Sequence, residues 1–385
     1  MKLSIEWVLA MCCCALWGCS QAVDTTSDDG GEDDARDAGT SSSGNSGSSG
    51  SSGGGAQPMG NGCDAQIANS TDSLPNDLEC TGLYEDIASK KLASGMRAFT
   101  PAIPLWSDGS EKERWIYLPP GTKIDTSDMA QWVFPTGTKL FKQFSAGGKR
   151  IETRLYQKLA TGDWSHATYI WDSAETTATR ELGGKSVSVG KGGTFVGGSM
   201  YHVPTQRDCD QCHEGRAERV LGFEAISLGL AGASGLTLDA LVKDKLLTDP
   251  PAKTQLVIGD DGSGMAPEVL GWMHINCGVS CHNDRPASEA YQTLLRLRLD
   301  PAQLDGRSSR TLEPETSTIG APAKSTRFVG QTRIVRGSPT QSLLYQLITS
   351  RAGKTKQMPP LATTAVDTEH ANLIKDWITK MGPSF

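Results

Sequence analysis

The chain has 385 residues and a formal charge of −7. Seven acids, Asp24, Asp28, Asp29, Glu32, Asp33, Asp34 and Asp37, stand in one short run opposed only by Arg36, so the remainder is close to neutral. That balance excludes a nucleic-acid binder, which needs a basic face; the length allows two ordinary domains with proper cores.

At the N-terminus, Lys2 precedes the apolar stretch "WVLAMCCCALWG", which is too short to span a bilayer and reads as an export signal over residues 1–18. "LWGC" at 16–19 resembles a bacterial lipoprotein cleavage box. The resemblance implies that Cys19 becomes the lipidated first residue and that a lipid is the only hold on the membrane. Ser20 is similar to an outer-membrane sorting residue, so the expected location is the periplasm, anchored at the outer membrane. Trp17 and Glu6 depart from the pattern, and plain secretion is the alternative. Cleavage at Cys19 removes Cys12, Cys13 and Cys14, lipidation consumes Cys19, and six cysteines remain in an oxidising compartment. Residues 19–62, the acidic run followed by "SSSGNSGSSGSSGGGAQPMGNG", have nothing to bury and read as a disordered tether.

Cys63 and Cys80 open the folded part and are expected to close a small loop as a disulfide; a pair of metal ligands is the alternative. Residues 63–205 read as a β-rich domain, an antiparallel sandwich or barrel. "RWIYLPPG", "QWVFPTGTKLFKQFS", "KRIETRLYQKL" and "SHATYIWD" are short β-forming runs separated by Gly and Pro turns. In the third, Ile151, Thr153, Leu155 and Gln157 alternate with Glu152, Arg154 and Tyr156, which predicts one wet face. Trp106, Trp115, Trp132, Trp164 and Trp171 are either core rings or a sugar-stacking platform. From 206 to 385 the pattern turns helical. "SPTQSLLYQLITS" predicts a helix capped by Ser338, with Pro339 at its first position and Gln341 completing a capping box. "DTEHANLIKDWITKM" predicts a last helix with Leu373, Ile374, Trp377, Ile378 and Met381 on one face.

"CDQCH", residues 209–213, carries the strongest chemistry. Two cysteines with a histidine directly after them form the c-type haem attachment pattern. Thiols at i and i+3 share a helical face and can capture both vinyl groups of a haem, while the next residue brings its imidazole to the iron. A redox dithiol or half a zinc site is the alternative. "HINCGVSCHN", residues 274–283, repeats the pattern with one residue too many: Cys277 and Cys281 are four apart, still about one turn, and His282 follows. Met358, in the Pro-braced "QMPP" ahead of the last helix, is the expected distal ligand of that second haem. Here the order of haem helix, Met loop and C-terminal helix resembles cytochrome c, whose Met ligand raises the reduction potential. The first haem has His213 as proximal ligand. Its sixth ligand is open among His274, Met273, Met200, His202, Met265 and His166, with His274 taken forward because it adjoins the second site.

Together, "TGLYEDIASKKLASGMRAFTPAIPLWSDGSEKERWIYLPPGT", "FPTGTKLFKQF", "ETRL", "YIWD", "CDQCH", "LGF" and "GWMHINC…CHN" resemble a family of bacterial secreted or lipoprotein dihaem c-type cytochromes, over roughly residues 80–385. That likeness implies a multidomain chain, with the β-rich domain followed by a mainly α, cytochrome c-like region, and two covalent haems c. It also implies electron transfer to a redox partner protein at the periplasm or cell surface. The usual spacing of the second site in that family is two residues, so this chain departs there. Two other expectations stand beside it: a haem enzyme of peroxidase or oxidase type with one open haem, and a carbohydrate- or partner-binding lipoprotein with accessory haem.

Overall fold

Alternating side chains and glycine turns give residues 97–181 the character of a meander. Gly147 and Gly148 both have positive φ, at 60° and 77°, the conformation a two-residue type I′ hairpin demands between two right-twisted strands. A computed structural model of the chain describes residues 61–190 and 192–382. The expected signal peptide, the lipidated Cys19 and all but the end of the tether lie outside them.

The strands are β1 (Tyr84–Asp86), β2 (Lys91–Leu92), β3 (Arg97–Thr100), β4 (Glu111–Tyr117), β5 (Lys139–Ala146), β6 (Lys149–Lys158), β7 (Trp164–Trp171), β8 (Ala178–Glu181), β9 (Lys185–Ser188), β10 (Met200–Val203) and β11 (Ser234–Gly235). Seven of them form one antiparallel sheet in the order β11-β3-β4-β5-β6-β7-β8, while β1–β2 and β9–β10 are separate hairpins. The large antiparallel sheet fits a β-rich region. The expected sandwich or barrel is corrected: no second large sheet lies across from it among the described residues, and other parts of the chain cover its faces. One face carries Trp115, Phe141, Leu155, Tyr169 and Trp171 and packs on Leu74, Leu78 and Leu83, next to the Cys63–Cys80 disulfide.

The helices are short: α1 (Asn61–Ala68), α2 (Gln206–His213), α3 (Ala225–Gly229), α4 (Leu238–Lys243), α5 (Ala266–Met273), α6 (Glu313–Thr316), α7 (Leu343–Ile348) and α8 (Thr368–Lys380). Apolar burial joins them to the sheet across the expected boundary at 205/206. Ile116, Leu140 and Tyr156 share one core with Phe223, Leu228, Leu238 and Leu241, and the described residues form one compact unit. A second core gathers α5 and α8 through Leu270, Trp272, Ile374, Trp377 and Ile378. α8 begins where Asp367 accepts the His370 N–H at 3.2 Å. Its predicted apolar face is buried, with Leu373 at the margin. α7 starts later than predicted. Ser338 makes no cap bond; Ser342 Oγ instead takes the Val335 N–H at 2.9 Å and donates to Ser338 O at 2.9 Å, so Pro339–Gln341 is only a tight turn.

The wet face predicted for β6 is corrected too. Glu152 is fully buried and Tyr156 nearly so. Their face looks into the interior where α2 docks. Polar residues alternate there because they line a cavity, not because they meet bulk water.

A candidate haem-attachment site

The "CDQCH" segment is helical because its entry is well capped. Thr205 Oγ1 accepts the Asp208 N–H, and the Asp208 carboxylate in turn accepts the Thr205 N–H at 3.2 Å, a reciprocal cap that satisfies two free donors. Cys209 and Cys212 are then three apart within one helix, and His213 is its last residue. None of Cys209, Cys212, Cys277 and Cys281 is in a disulfide.

The His213 ring is fixed by its neighbours. Its Nδ1 bonds the carbonyl of Arg219, and a carbonyl can only accept, so Nδ1 carries the proton. Nε2 is therefore the bare nitrogen of the ring, with no protein donor on it among the described residues. Tyr156 stacks on this imidazole at 4.2 Å between ring centres, and His166 stacks on the far side of Tyr156 at 4.8 Å. Burial holds His213 neutral, lowering its pKa to about 3.

The second motif answers the question of its extra residue. α5 runs on into a π-helical turn, His274–Gly278. Val279 N–H donates to His274 O and His282 N–H to Cys277 O, each at 2.8 Å and each spanning five residues. Within the pair itself Cys281 N–H donates to Cys277 O at 3.2 Å, an ordinary four-residue turn, so the two cysteines are about one turn apart. His282 is buried, its Nδ1 has no hydrogen-bond partner among the described residues, and burial lowers its pKa to about 4.

The two motifs dock backbone against backbone. A Cβ on Gly215 would meet the Ser280 carbonyl oxygen at 1.6 Å, so only glycine allows the approach. Asn283 Nδ2 ties the two together, donating to Gly215 O at 3.3 Å, Gly278 O at 2.9 Å and Val279 O at 3.2 Å. Arg285 Nε adds a bond to Glu214 O at 3.0 Å.

A cavity of about 420 Å³ lies between this docked pair and the sheet. Its lining includes Cys209, Cys212, His213, Cys281, Lys142 and Arg154. Pro359 to Thr364 close one side, and that loop is clamped because Asp108 accepts from Thr364 N–H at 2.8 Å and Ala365 N–H at 3.0 Å. Cys277 and Met358 both pack against the helical core instead. Burial raises the pKa of all four thiols: Cys212 to about 11, Cys277 and Cys281 each to about 12, and Cys209 in the same direction. A redox or nucleophilic dithiol needs the opposite shift.

The predicted site residues thus separate. Cys209, Cys212, His213 and Cys281 meet at one cavity, while Cys277 and Met358 share one apolar cluster. His274 lies outside that cavity: its Nδ1 accepts the Leu299 N–H at 2.9 Å, and its buried Nε2 faces Glu224 at 3.6 Å with no hydrogen-bond partner among the described residues. Glu224 caps α3 through the Ile226 and Ser227 N–H groups; burial would raise its pKa, but His274 and these bonds hold it down near 2. Of the other sixth-ligand candidates, His202 lines the cavity, His166 is stacked on Tyr156, and Met273 and Met265 pack in the helical core. The tryptophans make no stacking platform: Trp115, Trp132 and Trp171 are buried, Trp106 donates to Ala365 O at 3.1 Å and Trp164 to Glu218 at 3.2 Å. No family model, curated protein or solved structure matches the chain.

Proposed function

We propose that the chain is an exported dihaem c-type cytochrome that passes electrons to a redox partner protein, held to the outer membrane by a lipid on Cys19. The observation that carries this reading is the state of His213. It is the last residue of the helix that bears Cys209 and Cys212, it is neutral, its Nδ1–H is tied to Arg219 O, and its Nε2 is bare beside the cavity. A metal-binding histidine is oriented in this way, by a hydrogen bond from the nitrogen that does not ligate.

At the first motif the residues fit the group; at the second, Cys281 faces the first cavity while Cys277 and Met358 pack in the helical core, so a haem there needs those thiols brought together. Cys209 and Cys212 would hold the first haem by thioethers, with His213 on its iron. Cys277 and Cys281 would hold the second, with His282 proximal and Met358 distal. The second assignment rests on the motif, since the buried His282, unlike His213, has no hydrogen bond from Nδ1 to orient its ring among the described residues. Haem, when bound, supplies the one-electron chemistry, and its potential follows from axial ligand, burial and hydrogen bonding. The chain's own part is positional. The capped α2 holds the two thiols, Arg219 orients His213, Tyr156 covers its ring, and Gly215 and Asn283 hold the two motifs against each other. The same packing, with the cytochrome c-like order of Met358 loop and α8 behind it, supports electron passage between neighbouring haems.

A second reading, a haem enzyme of peroxidase or oxidase type, draws on His202, which lines the same cavity as His213. Absorption spectra of the reduced protein separate the two. Sharp c-type bands unchanged by carbon monoxide support the carrier. Carbon monoxide binding at one haem, with peroxide turnover, supports the enzyme.

A further inference from the structure

Three cations stand in line across the inner face of the sheet. Arg114 on β4 is the cross-strand partner of Lys142 on β5, and Lys142 is the partner of Arg154 on β6. Like charges placed directly opposite one another destabilise a sheet. Lys112, one step along the same face of β4, adds a fourth.

Of the four, only Arg154 is paired with an anion. Glu152 is bonded by Arg154 Nε at 2.9 Å and by the Tyr201 hydroxyl at 2.6 Å. Asp108 is occupied by Thr364 and Ala365. Lys112 donates to the Ser110 carbonyl at 3.0 Å and lies over the Phe144 ring at 5.7 Å, with no carboxylate bonded to it. Arg114, 5% exposed, and Lys142 have no hydrogen bond or ion pair from their side chains among the described residues. Burial of an unpaired charge is costly, and a protein keeps one inside where something pairs it.

The row opens onto the site. Lys142 and Arg154 line the cavity with Cys209, Cys212 and His213, and Arg114 and Lys142 line the hollow next to it with Leu221 and Val279. Resting on the haem reading above, we propose that Arg114, Lys142 and Arg154 form the receptor for the two propionate carboxylates of the haem held by Cys209, Cys212 and His213. A haem needs apolar surface for its ring and cations for its acid edge. This face supplies both, because Leu140 and Ile116 flank the row on one side and Phe144 on the other.

The test uses the full chain matured in a host that attaches haem, with the haem count taken first by intact mass. Lys142→Met removes one charge at similar length; Lys142→Arg keeps it; Arg114→Met is the second deletion. The readouts are the midpoint potential of the first haem and the propionate bending band in resonance Raman. Losing a cation beside the haem favours the ferric state. In each Met variant the ferrous-to-ferric ratio at fixed poise is expected to fall about tenfold, about 59 mV for one electron, and the propionate band to move to lower frequency. Lys142→Arg should match the wild type. Haem-loaded Met variants with wild-type potential and band overturn the propionate assignment and leave the haem reading intact. A wild-type potential that shifts on adding inorganic phosphate, with no such shift in Lys142→Met, means a free anion occupies the row and also overturns it. A wild type with no haem on Cys209 and Cys212 fails the haem reading itself, and this proposal with it.

Discussion

Gly215→Ala is the sharpest probe of how the two motifs meet. The added Cβ would lie 1.6 Å from the Ser280 carbonyl oxygen, 2.6 Å from its carbonyl carbon and 3.2 Å from its Cα. All three are backbone-defined atoms, so no side-chain rotation relieves the clash, and the motifs must separate by more than 1 Å, a shift a packed core resists. Overpacking of this kind costs about 1–3 kcal/mol. Separation also loses the Asn283 bond to Gly215 O and strains the Arg285 bond to Glu214 O, for about 1 kcal/mol more. The total is about 2–4 kcal/mol. With a urea slope of about 3 kcal/mol per molar for a body of this size, the unfolding midpoint should fall by about 1 M. Gly190→Ala is the control, since its Cβ would meet nothing nearer than 3.8 Å. Equal midpoints for Gly215→Ala and Gly190→Ala would refute the docked arrangement.

Two further outcomes follow from buried pairs. His274→Gln should keep the reduced absorption spectrum of the wild type and lose about 1–3 kcal/mol of stability, because it leaves Glu224 and the Leu299 N–H short of partners; loss of a haem band would restore His274 as a ligand. His370 and Asp367 are bonded at 2.9 Å. Burial opposes the charged form of His370, but the bond and charge of Asp367 with the charges of Glu369 and Glu268 together raise its pKa above 6.5; burial likewise acts to raise Asp367, but His370's bonds and charge with the Trp272 bond together lower its pKa below 3.8. The histidine's contribution is full below 6.5 and is lost as pH rises through its folded value, while the aspartate's is full above 3.8 and is lost as pH falls through its folded value. The pair therefore stabilises most between those limits. Thermal unfolding of His370→Ala should be less dependent on pH above 6.5 than that of the wild type, and parallel curves would contradict this.

Much of the architecture is legible in local signals. The strands of 111–171 follow from alternation and glycine turns, and α8 follows from its apolar face. What fails in the sequence depends on partners far along the chain. Alternation in β6 gives the period of Glu152, Arg154 and Tyr156 but not that their polar face meets a cavity. The ladder Arg114–Lys142–Arg154 is invisible until strand register sets the three side by side. His274 has the right residue type at a suggestive place, yet its nitrogens go to Leu299 and Glu224, one 25 residues ahead and the other 50 behind. The extra residue between Cys277 and Cys281 signals a departure in the sequence, and the sequence does not show that Cys281 faces the cavity while Cys277 packs in the helical core.

The central claim is that Cys209, Cys212 and His213, and again Cys277, Cys281 and His282, bind haem covalently. Intact mass of the mature chain from a haem-attaching host, read with a pyridine haemochrome spectrum, tests it most directly. The account predicts a mass two haems above the polypeptide and a thioether-type spectrum, falling to one haem in Cys209→Ala/Cys212→Ala. A colourless protein at polypeptide mass, with all four thiols open to alkylation after unfolding, would contradict it.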